Sequence, residues 1–298
     1  MAQSPLLRPA REDDLADIFD VWFTHETADD HVAPPRRAVP PWYRHELRTG
    51  TLWVAEASGR VVAFAGAVSR DGVDYLADLF VRPAYQSAGL GRQLLREVMP
   101  ATARVRCTLA SRDFRALGLY TRAGMQPAWP NVWLAVGPGE LRVENLPGVE
   151  VEVREAAPGD PEFLSWDAEV SGRSRAVDHD YWLSALRGAP LMFEWHGHVI
   201  GYGYVSGHSP GALWHPETVT LGPIGARTPT DALGCVGAAV RWAGRAAVRL
   251  SIPVPGSHPA LGPLLDAGFQ ITYVETFCSS AREAIFDPRC YVPSGEFL

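Results

Sequence analysis

Gln86-Ser87-Ala88-Gly89-Leu90-Gly91 joins a run that reads as a β-strand, Val73 to Val81, to a run that reads as a helix ending at Val98. The first turn of a helix offers backbone N–H groups without intrahelical partners, together with the positive end of the helix dipole. Glycines let that backbone come close to a phosphate. Anion binding is the chemistry such a loop can do, and a tight strand-to-helix turn is the bland alternative. A dinucleotide-binding GxGxxG loop fits poorly, because Leu94 stands at the third glycine position. A P-loop is excluded, since it needs a lysine and all 27 basic residues are arginine. Gly222-Pro223-Ile224-Gly225-Ala226 is a second candidate anion loop, better read as a Pro/Gly turn. His25 and His31, with Glu26, Asp29 and Asp30, show no recurring ligand spacing, so they read as a polar loop and no metal is expected. No GxSxG sequence is present to support hydrolase chemistry.

The elements that must position these residues follow from pattern. Residues 5–9 read as a strand and 13–23 as an amphipathic helix. A loop rich in Asp, His and Pro then leads to a short helix at 42–47. Strands at 51–57, 61–70 and 73–81 form a meander, its first turn carried by Ser58-Gly59. The helix after the glycine loop shows Leu90, Leu94, Leu95 and Val98 at helical spacing. A strand at 105–110, a helix at 114–122 and a strand at 132–136 follow. Antiparallel strands succeeded by strand–helix–strand–helix give an α+β class.

The chain then repeats itself. Leu7-Arg8-Pro9-Ala10 resembles Val153-Arg154-Glu155-Ala156. Gly59-Arg60-Val61-Val62-Ala63-Phe64-Ala65 resembles Gly197-His198-Val199-Ile200-Gly201-Tyr202-Gly203. Ala116-Leu117-Gly118 and Ala123-Gly124-Met125 match Ala260-Leu261-Gly262 and Ala267-Gly268-Phe269. Three matches in one order, at an offset of roughly 140 residues, argue for two copies of one domain. We expect copies at 1–138 and 149–298, joined through the Gly/Pro-bearing stretch 137–148. The second copy reads as strands at 151–153, 191–195, 199–205, 213–221, 248–253 and 270–278, with helices at 162–170, 230–246 and 259–267.

Composition bounds the partners. Of 298 residues, 47% are hydrophobic and 20% charged, which suits an ordinary globular chain with one or two full cores. A net charge of −7 without a basic stripe argues against nucleic acid. The first residues, MAQSPLLRPAREDD, hold no apolar run of signal-segment length, and no uncharged apolar run of 18 residues is present, so no membrane span is expected. Four scattered cysteines, Cys107, Cys235, Cys278 and Cys290, form no CxxC pair, so a reducing, cytoplasmic compartment is expected.

Residues 76–95, LADLFVRPAYQSAGLGRQLL, resemble the acetyl-CoA-binding segment of the GNAT-type N-acetyltransferases, and 116–125, ALGLYTRAGM, resemble that family's later helix. The resemblance covers residues 5–137 and implies tandem GNAT folds, each a mostly antiparallel mixed sheet flanked by helices, packed as a pseudo-dimer. It implies acetyl-CoA as cosubstrate and an amine of a small molecule or peptide as acceptor. Gln86, Ser87, Ala88, Gly89, Leu90, Gly91 and Arg92 would hold the pyrophosphate. Leu79, Phe80 and Val81 would face the pantetheine arm. Tyr120 would protonate the departing thiolate, and Asp113 stands where many members carry an Asn facing the cofactor. A neutral amine must attack, so a carboxylate is needed to take its proton; Asp78, inside an apolar strand, and Glu56, on a neighbouring one, are the candidates. The second copy has Thr230-Asp231-Ala232-Leu233-Gly234 in place of the loop and Leu264 in place of Tyr120, so it reads as degenerate. Its aromatics Trp166, Tyr181, Trp182, Trp195, Tyr202, Tyr204 and Trp214 read mostly as packing. A non-catalytic acyl-CoA sensor and a transferase using another acyl donor stay open as alternatives, as do monomer and homodimer.

Overall fold

The computed structural model describes residues 4–28, 30–87, 89–100, 104–246 and 248–298. Ala88 and Asp29 therefore lie outside the described residues. The chain divides into two compact units, Met1–Thr108 and Leu109–Leu298.

The first unit holds β1 (Leu6–Pro9), α1 (Leu15–Glu26), α2 (Pro41–Thr49), β2 (Thr51–Ala57), β3 (Arg60–Arg70), β4 (Val73–Val81), α3 (Leu90–Val98) and most of β5 (Val105–Ala110). Its sheet runs β1-β2-β3-β4-β5, antiparallel except for the β4–β5 pair. Both hairpins turn on two residues with positive φ, Ser58-Gly59 and Asp71-Gly72. That twist suits tight connections between right-twisted strands. Leu15, Ile18, Phe19 and Trp22 lie at i, i+3, i+4 and i+7 on α1, and all four are buried. An aromatic chain ties the helices to the sheet: Trp22 meets Trp42 at 5.4 Å, Tyr43 meets Phe64 at 5.7 Å, and Phe64 stacks on Phe80 at 5.5 Å.

The second unit holds α4 (Phe114–Arg122), β6 (Gln126–Val136), β7 (Glu152–Glu155), α5 (Pro161–Ser171), α6 (Ala176–Ser184), β8 (Ala189–Trp195), β9 (His198–Val205), β10 (Val219–Ala226), α7 (Pro229–Gly244), β11 (Leu250–Pro255), α8 (Leu261–Asp266), β12 (Gln270–Ser279) and β13 (Tyr291–Val292). Its strands run β12-β6-β11-β10-β9-β8-β7, with β13 beside β10. Strands β7 to β11 repeat β1 to β5 step for step, three antiparallel pairs followed by one parallel pair. The division at Thr108/Leu109 falls before the repeat boundary because β6, last strand of the first copy, pairs with β12 and β11 of the second. A sequence copy and a compact unit are thus different divisions of this chain.

Two expected strands change their bounds. The strand expected at 132–136 runs back to Gln126 through Pro127 and Pro130. It does so because β11 pairs only from Asn131 onward, so those prolines sit where β6 is an edge on that side. The strand expected at 213–221 begins at Val219 and continues to Ala226. Gly222 to Ala226 is consequently neither an anion loop nor a turn, but buried strand. A Cβ on Gly222, whose φ is 134°, would meet the Pro293 carbonyl oxygen at 2.2 Å, so the chain after β13 presses directly on it. Helix α6 and strand β13 were not expected at all.

Candidate functional site

The first unit builds its site on a bulge. Gly66 stands opposite Asp78 and Ala67 opposite Leu76, so Ala77 is an extra residue in β4. The parallel pairing with β5 ends at Leu76, opposite Thr108. Beyond it, Asp78, Leu79, Phe80 and Val81 pair only with β3 among the described residues. That stretch points the chain toward the glycine loop. Gln86 Nε2 donates to the Val81 carbonyl at 3.0 Å and closes the connection. Ser87 and Gly89 both have positive φ, 65° and 79°. A Cβ on Gly89 would meet nothing within 4 Å, so the backbone there is open to a ligand. Helix α3 starts from Gly89 without a side-chain cap and without an acidic residue in its first turn. Leu90 anchors it in the core, while Gly91 is half-buried and Arg92 exposed.

The two candidate bases sit in different surroundings. Glu56 is committed to Arg8, whose Nε and Nη2 donate to Glu56 Oε2 at 2.9 and 2.8 Å. Asp78 is half-buried and faces a second carboxyl, Glu46 of α2. Burial raises Asp78 to about 6. Burial also raises Glu46 well above the usual carboxylate range, and the Asp78 charge adds to it. No N–H or hydroxyl donor among the described residues reaches either Glu46 oxygen, which leaves the Asp78 carboxyl as its hydrogen-bonding neighbour, and the Tyr43 hydroxyl is likewise buried without a partner. Burial raises both carboxyls and each acts on the other, so ionisation of one opposes ionisation of its neighbour. A pair with one ionised and one protonated member can accept a proton.

The remaining predicted residues lie in the second unit. Asp113 is the N-cap of α4: its Oδ1 accepts from the Arg115 backbone N–H at 2.8 Å, and its carboxylate also pairs with the Arg115 guanidinium. Tyr120 is buried on the same helix.

The Acetyltransferase (GNAT) family profile matches residues 13–125. Over residues 13–125 the chain is thus similar to GNAT acetyltransferases. A mycothiol acetyltransferase of Kineococcus radiotolerans is 36% identical over 116 residues, which make up 38% of this chain and 36% of that protein. The chain thus spans about a third of the length of that curated relative. A candidate acetyltransferase of Pyrococcus horikoshii shares the fold with a TM-score of 0.72 at 16% identity, over 98% of this chain and 94% of the other. A tandem GNAT protein from the clavulanic acid biosynthesis pathway matches with a TM-score of 0.62 at 14% identity, over 94% of this chain and all of its own.

The second copy of the GNAT fold closes both features that the first leaves open. Helix α7 is self-capped, with Thr228 Oγ1 accepting from the Asp231 backbone N–H at 3.1 Å and donating to the Asp231 carboxylate at 2.7 Å. Strand β10 has its own bulge between Leu221 and Ile224, and past it β13 occupies the strand edge, Val292 opposite Ile224. The aromatics of this copy are mostly core, since Trp166, Tyr181, Trp182, Tyr202 and Tyr204 are buried and only Trp195 and Trp214 are exposed. Among the described residues, no three His, Cys, Asp or Glu side chains group as metal ligands. None of the described helices is long and apolar enough to cross a membrane.

Sequence reasoning missed Tyr43 and Glu46. A signal was present: Trp42, Tyr43 and Glu46 share one face of α2, so a helix expected to bury Trp42 had to bury a carboxyl with it.

Proposed function

We propose that the chain is an acetyl-CoA-dependent N-acetyltransferase, with the first copy as the active one. The observation that carries this reading is the start of α3, uncapped and free of acidic side chains, against the self-capped and acidic start of α7. The residues of the first copy fit the cofactor. Gln86, Ser87, Gly89, Leu90, Gly91 and Arg92 would hold its pyrophosphate, and Leu79 to Val81 would line its arm along the unpaired edge of β4. Bound acetyl-CoA supplies an acetyl thioester as electrophile.

Asp78 is the proton acceptor in this reading. It is ionised at neutral pH, next to a neutral Glu46, whereas Glu56 is tied to an arginine. An ammonium acceptor delivers its proton to the Asp78 carboxylate and is then competent to attack. Positioning of the two reactants supplies most of the acceleration, with proton transfer adding to it. The role of Tyr120 as proton donor rests on the resemblance alone and has its own test, Tyr120→Phe, which should slow turnover. The similarity to a mycothiol acetyltransferase supports placing mycothiol-related amines first among acceptors.

Calorimetric titration with acetyl-CoA tests the reading. One site per chain supports it, two would mean the second copy binds as well, and no binding overturns it. Transfer to an amine panel, lost in Asp78→Asn while acetyl-CoA binding persists, separates the enzyme from a sensor.

A further inference from the structure

Glu46 has no role in any feature so far read from the family resemblance, yet it occupies an unusual place. It sits on α2, completely buried, and no N–H or hydroxyl donor among the described residues reaches its carboxyl oxygens, whose neighbour is the Asp78 carboxyl. An ionised carboxyl in that position would carry a heavy desolvation cost, so it must be neutral or share a charge-compensating proton. The backbone makes room for it deliberately: a Cβ on Gly66 would lie 2.1 Å from Glu46 Oε2 and 2.9 Å from its Cδ. Gly66 is the residue directly opposite Asp78 on the neighbouring strand. Side chains of opposed residues in an antiparallel pair stand on the same face, about 5 Å apart at Cβ. The Glu46 carboxyl therefore fills the space of the missing Gly66 side chain, on the face from which Asp78 projects.

We propose that Glu46 is the positioning residue for Asp78: it presents a proton to the Asp78 carboxylate from the space vacated at Gly66, fixing its orientation and keeping it ionised for the acceptor. This rests on the transferase reading for its use, but the pair itself can be measured without turnover. Among the described residues, the titratable groups that face Asp78 are Glu46 and Tyr43, both from α2; Glu26 of α1 acts on Tyr43, and the β3 residue opposite Asp78 is the uncharged Gly66. A donor to the charged form holds a carboxyl's titration down, against the burial that raises it. Hydrogen bonds to charged groups are worth about 1.5–3 kcal/mol, so loss of this one should raise the titration point of Asp78 by about one to two pH units.

Three proteins separate this role from a merely structural one: the native chain, Glu46→Gln and Glu46→Leu. Glutamine keeps a donor and no proton to lose. Leucine keeps the burial and removes the donor. The acid limb of the pH–rate profile should stay in place for Glu46→Gln and move up by about one to two units for Glu46→Leu. An unmoved limb in Glu46→Leu, or an equal movement in both variants, overturns the proposal. Infrared difference spectra of the native chain and Glu46→Gln read the same pair with no acceptor present. A protonated-carboxyl band that persists in the native chain at pH 7.5 and is missing from Glu46→Gln supports the shared proton, and identical spectra overturn it. Absent turnover with the band present would sink the transferase reading and leave the carboxyl pair standing.

Discussion

Gly66 is a glycine because of Glu46: the place its Cβ would take is 2.1 Å from Glu46 Oε2 and 3.1 Å from Leu52 Cδ1. Its backbone does not require glycine, since only the space is special. Gly66→Ala should therefore displace the Glu46 carboxyl from Asp78 and cost about 1–3 kcal/mol, as overpacking of a tight core does. Urea unfolding of Gly66→Ala, Glu46→Ala and the double variant measures it. The alanine at 66 should cost clearly less once Glu46 is shortened. Equal cost in both backgrounds would show that the crowding lies elsewhere.

Asp78 links activity and stability with opposite signs. Its titration near pH 6, raised by burial, means that transfer should fall about tenfold per pH unit below 6 as the base is protonated. Asp78→Asn should lower kcat by a factor on the order of 10² to 10⁴. The folded carboxyl binds its proton more tightly than the unfolded one, which titrates near 4. The native state is thus favoured in acid, and that advantage is lost as pH rises from about 4 through 6. Asp78→Asn removes the charged form altogether, so at pH 7 the inactive variant should be at least as stable as the native chain. A less stable variant would mean that the Asp78 charge is compensated by a group other than Glu46.

Much of this was legible in the sequence because it is local. Apolar periodicity placed α1 and α3, Ser58-Gly59 announced its hairpin, and β5 and α4 have the expected bounds. The bulge at Ala77 was not legible, because a register shift is a relation between two strands. Pairing likewise decided β6, which extends back through Pro127 and Pro130 because β12 pairs with it there. Strand β13 has two residues and no periodicity to detect. Asp78 could be picked out as a carboxylate in an apolar strand, but its partner Glu46 lies 32 positions earlier, on a helix with a polar composition. Only the fold puts an α2 carboxyl over the gap at Gly66.

The glycine loop makes a prediction that separates binding from folding. Gly89 lies at φ 79° with open space around its Cβ position. A β-branched residue is strained in that region, and its side chain would stand where a phosphate approaches. Gly89→Val should weaken acetyl-CoA binding at least about tenfold while costing only about 1–2 kcal/mol of stability. Calorimetry beside thermal unfolding reads the two effects separately. Unchanged affinity would move the cofactor site away from the start of α3.

The second unit has the opposite kind of carboxylate. Asp167 is buried, yet Arg175 donates to it at 2.6 and 2.9 Å, the Tyr202 hydroxyl donates at 2.6 Å, and His179 Nε2 lies 2.9 Å away. Burial alone pushes such a carboxyl up; the Arg175 charge and hydrogen bonds, with those of His179, outweigh it and hold Asp167 far below the usual range. Asp167→Asn would leave the buried Arg175 guanidinium without its counter-charge, at a cost of about 3–5 kcal/mol. The sign with pH follows from the depressed titration: the stabilisation is complete above the unfolded value near 4 and fades as pH falls below it. Native and Asp167→Asn chains should therefore differ most in urea midpoint between pH 5 and 8 and converge in stronger acid. A variant as stable as the native chain at pH 7 would show that the desolvation of the ion pair cancels its attraction, and that the aromatic packing around Trp182, Tyr202 and Tyr204 holds this part of the second copy without it.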